Sequence, residues 1–162
     1  MPVDWVIAGI NQGANLGVDV YHSGTAAAAR EAGLLGIPAI AISQYTALHH
    51  ELDWSPTRLR AQKVLDALLE RPPAPGAFWN VNLPHPADDR TDVEWVECGV
   101  DPSALPIRFE TRPEGLRSIT AYHDRARKPH LDVDVCLGGR IAVSEIPPLE
   151  TWPRGATARP YG

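Results

Sequence analysis

No apolar run in these 162 residues approaches the ~20 needed to cross a bilayer, so no membrane-spanning helix is expected. Cationic excess is missing too: 15 Lys and Arg face 20 Asp and Glu, a formal net charge of −5. A protein that grips a nucleic-acid duplex needs a broad basic face, and this balance argues against one. Cysteine is scarce, with only Cys98 and Cys136. They lack both the density of a disulfide-stapled secreted domain and the pair spacing of a zinc site, so they read as small buried residues in a reducing, cytoplasmic compartment. The opening Met1-Pro2-Val3-Asp4 carries no basic stretch before a long apolar core, so no secretory leader is expected. What remains is an ordinary globular composition, 44% hydrophobic and 22% charged, in a length that suits one domain with a real core.

The densest information lies in residues 9–25, Gly-Ile-Asn-Gln-Gly-Ala-Asn-Leu-Gly-Val-Asp-Val-Tyr-His-Ser-Gly-Thr. Gly9, Gly13 and Gly17 let the backbone take positive φ and approach a ligand closely. Asn11 and Asn15 add neutral oxygens and amides. Ser23, Gly24 and Thr25 offer hydroxyls and free N–H groups at the positive end of a helix dipole. The alternative is a tight strand-to-helix connection whose asparagines satisfy turn backbone. Six such residues ahead of one helix exceed what a turn requires, so phosphate or another small anion is expected.

Around this loop the chain alternates strand and helix. Residues 3–8 read as a buried parallel strand, 25–35 as an alanine-rich helix and 37–42 as the next strand, together a right-handed βαβ unit. A second helix is expected from Ser55 as N-cap and Pro56 at the first position, stopped by Pro72-Pro73. Ala61, Val64, Leu65, Leu68 and Leu69 share one of its faces. Residues 78–84 read as another strand. From residue 85 the composition changes: residues 93–100, 107–111 and 118–122 suggest antiparallel hairpins, which often serve as an oligomerisation arm or a flap. Residues 131–135 and 140–148 suggest a returning strand pair, and the last ten residues a frayed tail. No internal repeat is visible.

Other constellations each carry two readings. Asp19 could hold the loop or sit beside a metal, and the structural part is favoured because a carboxylate repels phosphate. His22 could donate a proton or only hydrogen-bond. His49-His50-Glu51 lacks the second histidine at the spacing of a zinc-protease helix, which favours a surface role. Asp132 and Asp134, two apart, would lie on one strand face as paired acids, with a solvated face or a hydrogen-bonded turn the favoured alternatives. The five tryptophans read as core or interface.

The run from Gly9 to Asp19, then Ser23-Gly24-Thr25 with Ala27, Ala28 and Glu31, resembles the signature of the SurE family, metal-dependent 5′/3′-nucleotidases and acid phosphatases. Residues 36–43 are similar to that family's next strand. Asn80-Val81-Asn82-Leu83-Pro84 and residues 134–149 match more loosely, and residues 85–130 least. The resemblance implies an α/β fold, Rossmann-like, a partial three-layer αβα arrangement with a β-rich C-terminal hairpin extension. It implies one domain over residues 1–162, with 1–84 the Rossmann-like part and 85–162 the extension and tail. It further implies metal-assisted hydrolysis of nucleoside monophosphates or other small phosphomonoesters, a homodimer or homotetramer, and a divalent cation, Mg²⁺ or Mn²⁺.

By the same resemblance Asn11 would be a metal ligand, and Ser23, Gly24 and Thr25, with Asn15, would receive phosphate. No catalytic residue is assigned. His22 stands where family members usually have tyrosine, with Tyr21 one place earlier. The family's first strand, ending in an Asn-Asp-Asp metal turn, has no counterpart ahead of residues 3–8. A hard divalent cation needs carboxylates, so an incomplete metal site and an apolar sheet edge at residues 3–8 are expected. The rival expectation is a non-catalytic remnant that binds phosphate or supports oligomerisation.

Overall fold

The computed structural model describes residues 2–47, 52–85, 93–120, 122–123 and 125–148. Strand β1 (Val6–Gln12) leads through the glycine-rich loop and a 3-10 turn (Gly17–Tyr21) to helix α1 (Gly24–Leu34) and strand β2 (Ala39–Gln44). Helix α2 (Trp54–Leu69) and strand β3 (Phe78–Leu83) follow. Then come β4 (Trp95–Glu97), β5 (Phe109–Arg112), β6 (Gly115–Ser118), helix α3 (Asp132–Leu137) and β7 (Ile141–Ile146).

The main sheet runs β1-β2-β3-β7-β4. β1, β2 and β3 are parallel, β7 is antiparallel to β3, and β4 is parallel to β7. The sheet therefore draws strands from both sides of residue 85. β5 and β6 form a separate antiparallel hairpin.

Side-chain alternation along the strands separates two apolar layers. On one face Ile40, Ile42, Val81 and Val143 meet Ala61, Val64 and Leu68 of α2. On the other, Ala39, Ala41 and Phe78 meet Ala26, Ala29 and Ala32 of α1, while Val133, Val135 and Cys136 of α3 cover Ala142. Helices on both faces of a mostly parallel sheet make the three-layer αβα architecture. Val64 and Leu68 are fully buried, and each such side chain contributes about 1.5–3 kcal/mol of hydrophobic stabilisation.

Several local expectations are corrected. The cap of α2 is Asp53, whose Oδ1 accepts the Ser55 N–H at 2.8 Å, so Ser55 and Pro56 already lie inside the first turn. Leu69, on the expected apolar face, is 38% exposed. β1 starts at Val6 and is the edge strand, half-buried with Ile7 exposed, because only β2 flanks it among the described residues. Residues 93–100 form no hairpin; β4 lies parallel beside β7. Residues 131–135 form no strand: Asp132–Leu137 is helical, so Asp132 and Asp134 do not share a strand face. The expected tail falls outside the described residues.

Candidate phosphate-binding site

The three parallel strands end in a polar row. Their register places Asn11 of β1 beside Ser43 of β2, and Ser43 beside Asn82 of β3. The carboxyl ends of parallel strands are where open α/β sheets bind ligands. The loop that leaves β1 is fastened to these ends at each step. The Gly13 N–H donates to Gln44 O at 2.9 Å, and Asn11 Nδ2 donates to Gly13 O at 2.8 Å.

Asn15 comes next and is buried. Its N–H donates to Asn82 Oδ1 at 2.8 Å, its carbonyl accepts from Asn80 Nδ2 and Asn82 Nδ2 at 3.0 and 3.1 Å, and its Nδ2 donates to Ser43 Oγ. The geometry thus commits Asn15 to holding the loop on β2 and β3. Asn80 Oδ1, at the same place, is buried and has no hydrogen-bond partner among the described residues.

Gly17 has φ +57°, and a Cβ there would stand 2.8 Å from Asp101 O. Only glycine fits so close an approach in that backbone conformation. Its N–H donates to Asp132 Oδ2 at 2.7 Å, while Asp132 Oδ1 accepts from Asp101 N and Val133 N, each at 2.8 Å. Burial pushes the Asp132 carboxyl above the usual carboxylate range, and the three N–H donors oppose that rise. Burial also acts on Asp101, but the N–H groups of Lys128 and Ser103 donate to it at 2.7 and 2.8 Å and hold it below the usual range.

Asp19 sits in the 3-10 turn. Its Oδ2 accepts from Tyr122 Oη at 2.8 Å and pairs with Arg125 Nη1 at 2.7 Å. The Arg125 side chain has no solvent exposure. Burial and the neighbouring Asp19 carboxylate push the Tyr122 phenol well above its ordinary value. Asp19 therefore holds the loop, in line with its expected structural part.

Ser23 then caps α1. It is extended (φ −77°, ψ 124°), its Oγ accepts the Ala26 N–H at 3.0 Å, and its carbonyl accepts the Ala27 N–H at 2.9 Å. The N–H groups of Gly24 and Thr25, in the first turn, have no partner inside the helix. Gly24 is exposed, Ser23 and Thr25 are half-buried, and a Cβ added to Gly24 would meet nothing within 4 Å. The arrangement is an accessible helix start with two free N–H donors and two hydroxyls, joined to the strand ends by a loop pinned at four points.

Against this geometry the comparisons with known proteins are specific. A family model described as Survival protein SurE matches residues 1–103. The chain belongs to the SurE family. A relative in Nostoc sp., provisionally named a 5′-nucleotidase, is 43% identical over 144 residues, covering 89% of this chain and 64% of the relative. The 5′-nucleotidase SurE of Paramagnetospirillum magneticum is 36% identical over 147 residues, covering 88% of this chain and 56% of the relative. The crystal structure of the SurE protein from Aquifex aeolicus superimposes with a TM-score of 0.69 at 23% identity, over 91% of this chain and 60% of that one. The SurE match shows the same α/β fold. The chain thus spans less than two thirds of the length of these relatives.

The donor set for a metal is thin. Among the described residues no group of three or more His, Cys, Asp and Glu side chains could hold an ion. Asn11 offers one neutral oxygen, Oδ1. A hard divalent cation requires several oxygen ligands with negative charge among them, so these residues alone do not fit one. Residues 48–51, including His49, His50 and Glu51, lie outside the described residues. His22 is exposed.

The sequence reading brought together Asn11, Asn15 and the Ser23–Thr25 turn, and the structure joins the first two through the strand ends. It named Asp132 only as one of a strand-face pair with Asp134, and it missed Tyr122 and Arg125. Asp132 carried a signal, an acidic residue inside an apolar run. Tyr122 and Arg125 carried none, since their partner Asp19 lies more than a hundred residues away in sequence.

Proposed function

We propose that this chain carries the substrate-facing part of a phosphomonoesterase site that acts on nucleoside monophosphates. The observation that carries the reading is the open N-terminus of α1. Its Gly24 and Thr25 N–H groups and the Thr25 hydroxyl would donate to the phosphate oxygens. Because Ser23 Oγ already accepts from Ala26, its own proton is available for the same anion. Donors fixed before the substrate arrives need no reorganisation as charge shifts onto the phosphoryl oxygens, which is the electrostatic part of catalysis. Asn15 supports this site from behind.

The divalent cation that the family resemblance implies, Mg²⁺ or Mn²⁺, would need carboxylates other than those of the described residues, with Asn11 contributing one oxygen. We place the protein in the cytoplasm, in keeping with its unpaired cysteines and with the lack of any described helix long and apolar enough to cross a membrane. Residues 1–162 are taken as one domain, and the β5–β6 hairpin as the contact between copies in a homodimer or homotetramer.

The test is Gly24→Asp. An acidic residue in the first turn suits the helix dipole, and the open space ahead of Gly24 admits it. Calorimetry is expected to show an unchanged or higher melting temperature together with at least tenfold weaker binding of AMP and inorganic phosphate. Retained affinity overturns the proposed site.

The thin carboxylate set favours a second reading, phosphate binding without turnover. Assays on p-nitrophenyl phosphate and nucleoside monophosphates with Mg²⁺ or Mn²⁺ separate the two. Robust turnover that disappears in Asn11→Ala supports the enzyme; binding without metal-stimulated turnover supports the second reading.

A further inference from the structure

An unassigned feature stands where β2 ends. Tyr45 follows Gln44 directly, and its N–H donates to Leu83 O at 2.9 Å, which fixes the residue at the carboxyl edge of the sheet. Its ring, 7% exposed, stacks with Tyr122 at 6.1 Å between centroids and 27° between planes. The His123 ring lies end-on to that of Tyr45, with 6.2 Å between centroids and 21° between planes, and Tyr45 Oη and His123 Nδ1 share a hydrogen bond of 2.9 Å. The Arg125 guanidinium in turn lies 5.1 Å from the centre of the Tyr122 ring.

Arg125, Tyr122, Tyr45 and His123 are thus a run of planar groups in contact. The run is buried at Arg125 and exposed at His123. It is also tied to the phosphate side. Asp19 Oδ2 receives both Tyr122 Oη and Arg125 Nη1, and the Asp19 carbonyl accepts the His22 N–H at 3.0 Å, one residue before Ser23. The aromatic run and the helix start therefore keep a fixed relation.

A phosphomonoester bound at α1 still has its alcohol part to place, and that part is a planar base in a nucleotide. We infer that His123, held at its ring edge by Tyr45, is the platform on which the nucleobase of the substrate stacks. The inference rests on the proposed nucleotidase reading and names the moiety that the site selects. Stacking on a ring is indifferent to base identity because every base presents a π-face. The platform therefore separates nucleotides from simple phosphomonoesters and discriminates weakly among AMP, GMP, CMP and UMP.

The experiment compares AMP, ribose 5-phosphate and inorganic phosphate by calorimetric titration of the chain, with Mg²⁺ present, in wild type, His123→Ala and His123→Trp. Wild type is expected to prefer AMP over ribose 5-phosphate. His123→Ala is expected to weaken AMP by at least about fivefold, the lower end of what a lost base–aromatic stack costs. It should leave ribose 5-phosphate and phosphate unchanged, and His123→Trp should restore AMP. Equal affinity of wild type for AMP and ribose 5-phosphate, unchanged AMP affinity in His123→Ala, or a parallel loss of all three ligands overturns the platform. In the first two cases phosphate still binds, so the helix-start site survives. Failure of wild type to bind any of the three overturns both.

Discussion

Asp101 and Asp132 are both cut off from water, and their carboxyls respond in opposite directions. Asp132 is dominated by the loss of hydration, whereas for Asp101 the donated N–H bonds win. This difference has a measurable sign. A carboxyl whose folded-state value lies below the unfolded 3.8 binds fewer protons when folded, so it contributes stability above that value. The contribution disappears as pH falls through 3.8 toward the depressed folded value. Asp101→Asn is therefore expected to lower the melting temperature at pH 7, with the gap to wild type closing below pH 3.8 in thermal melts. A gap independent of pH contradicts the assignment. Neither carboxyl could be read from the sequence in this role. The alternation Leu-Asp-Val-Asp-Val in residues 131–135 has the period of a strand, and a helix of six residues is too short to display its own period.

At the scale of elements, legibility followed length and contiguity. The βαβ unit and α2 were readable because apolar spacing and caps recur over many residues, and their ends shifted by only a few positions. β4 was misread because three residues cannot reveal which strand they join; β7 was supplied from over forty residues further on. Alternation placed hairpin strands at 107–111 and 118–122, close to β5 but past β6, which is Gly115–Ser118; the hairpin leaves Phe109 60% and Leu116 71% exposed. These two side chains carry the proposed contact between copies. Phe109→Glu with Leu116→Glu is expected to lower the particle mass in light scattering to that of one chain, with little change in the melting of the sheet. An unchanged mass removes the hairpin from any assembly.

For the molecule as a whole, two carboxylate links hold the least regular segment to the most regular one. Asp132 fastens Gly17, and Arg125 fastens Asp19, each across more than a hundred residues of chain. Asp19 keeps 23% of its side chain exposed, so breaking this pair costs less than a fully buried one, about 1–3 kcal/mol. Arg125→Met is expected to lower the melting temperature by roughly 2–4 °C per kcal/mol lost. It should also speed hydrogen exchange in residues 17–22 more than in β2 or β3. Uniform acceleration across the sheet would show that the link stabilises the whole fold and does not specifically hold the loop.

The position of β7 bears on how the molecule comes into being. Residues 141–146 lie between β3 and β4, although they are the last described strand to be made. During synthesis the parallel strands β1–β3 leave the ribosome with one flank of β3 unpaired, and β4 has no neighbour in the sheet until residue 146 has emerged. Final closure of the sheet therefore waits for almost the entire described chain. A nascent chain stalled before residue 141 is expected to present that bare flank of β3 to chaperones and to other nascent chains.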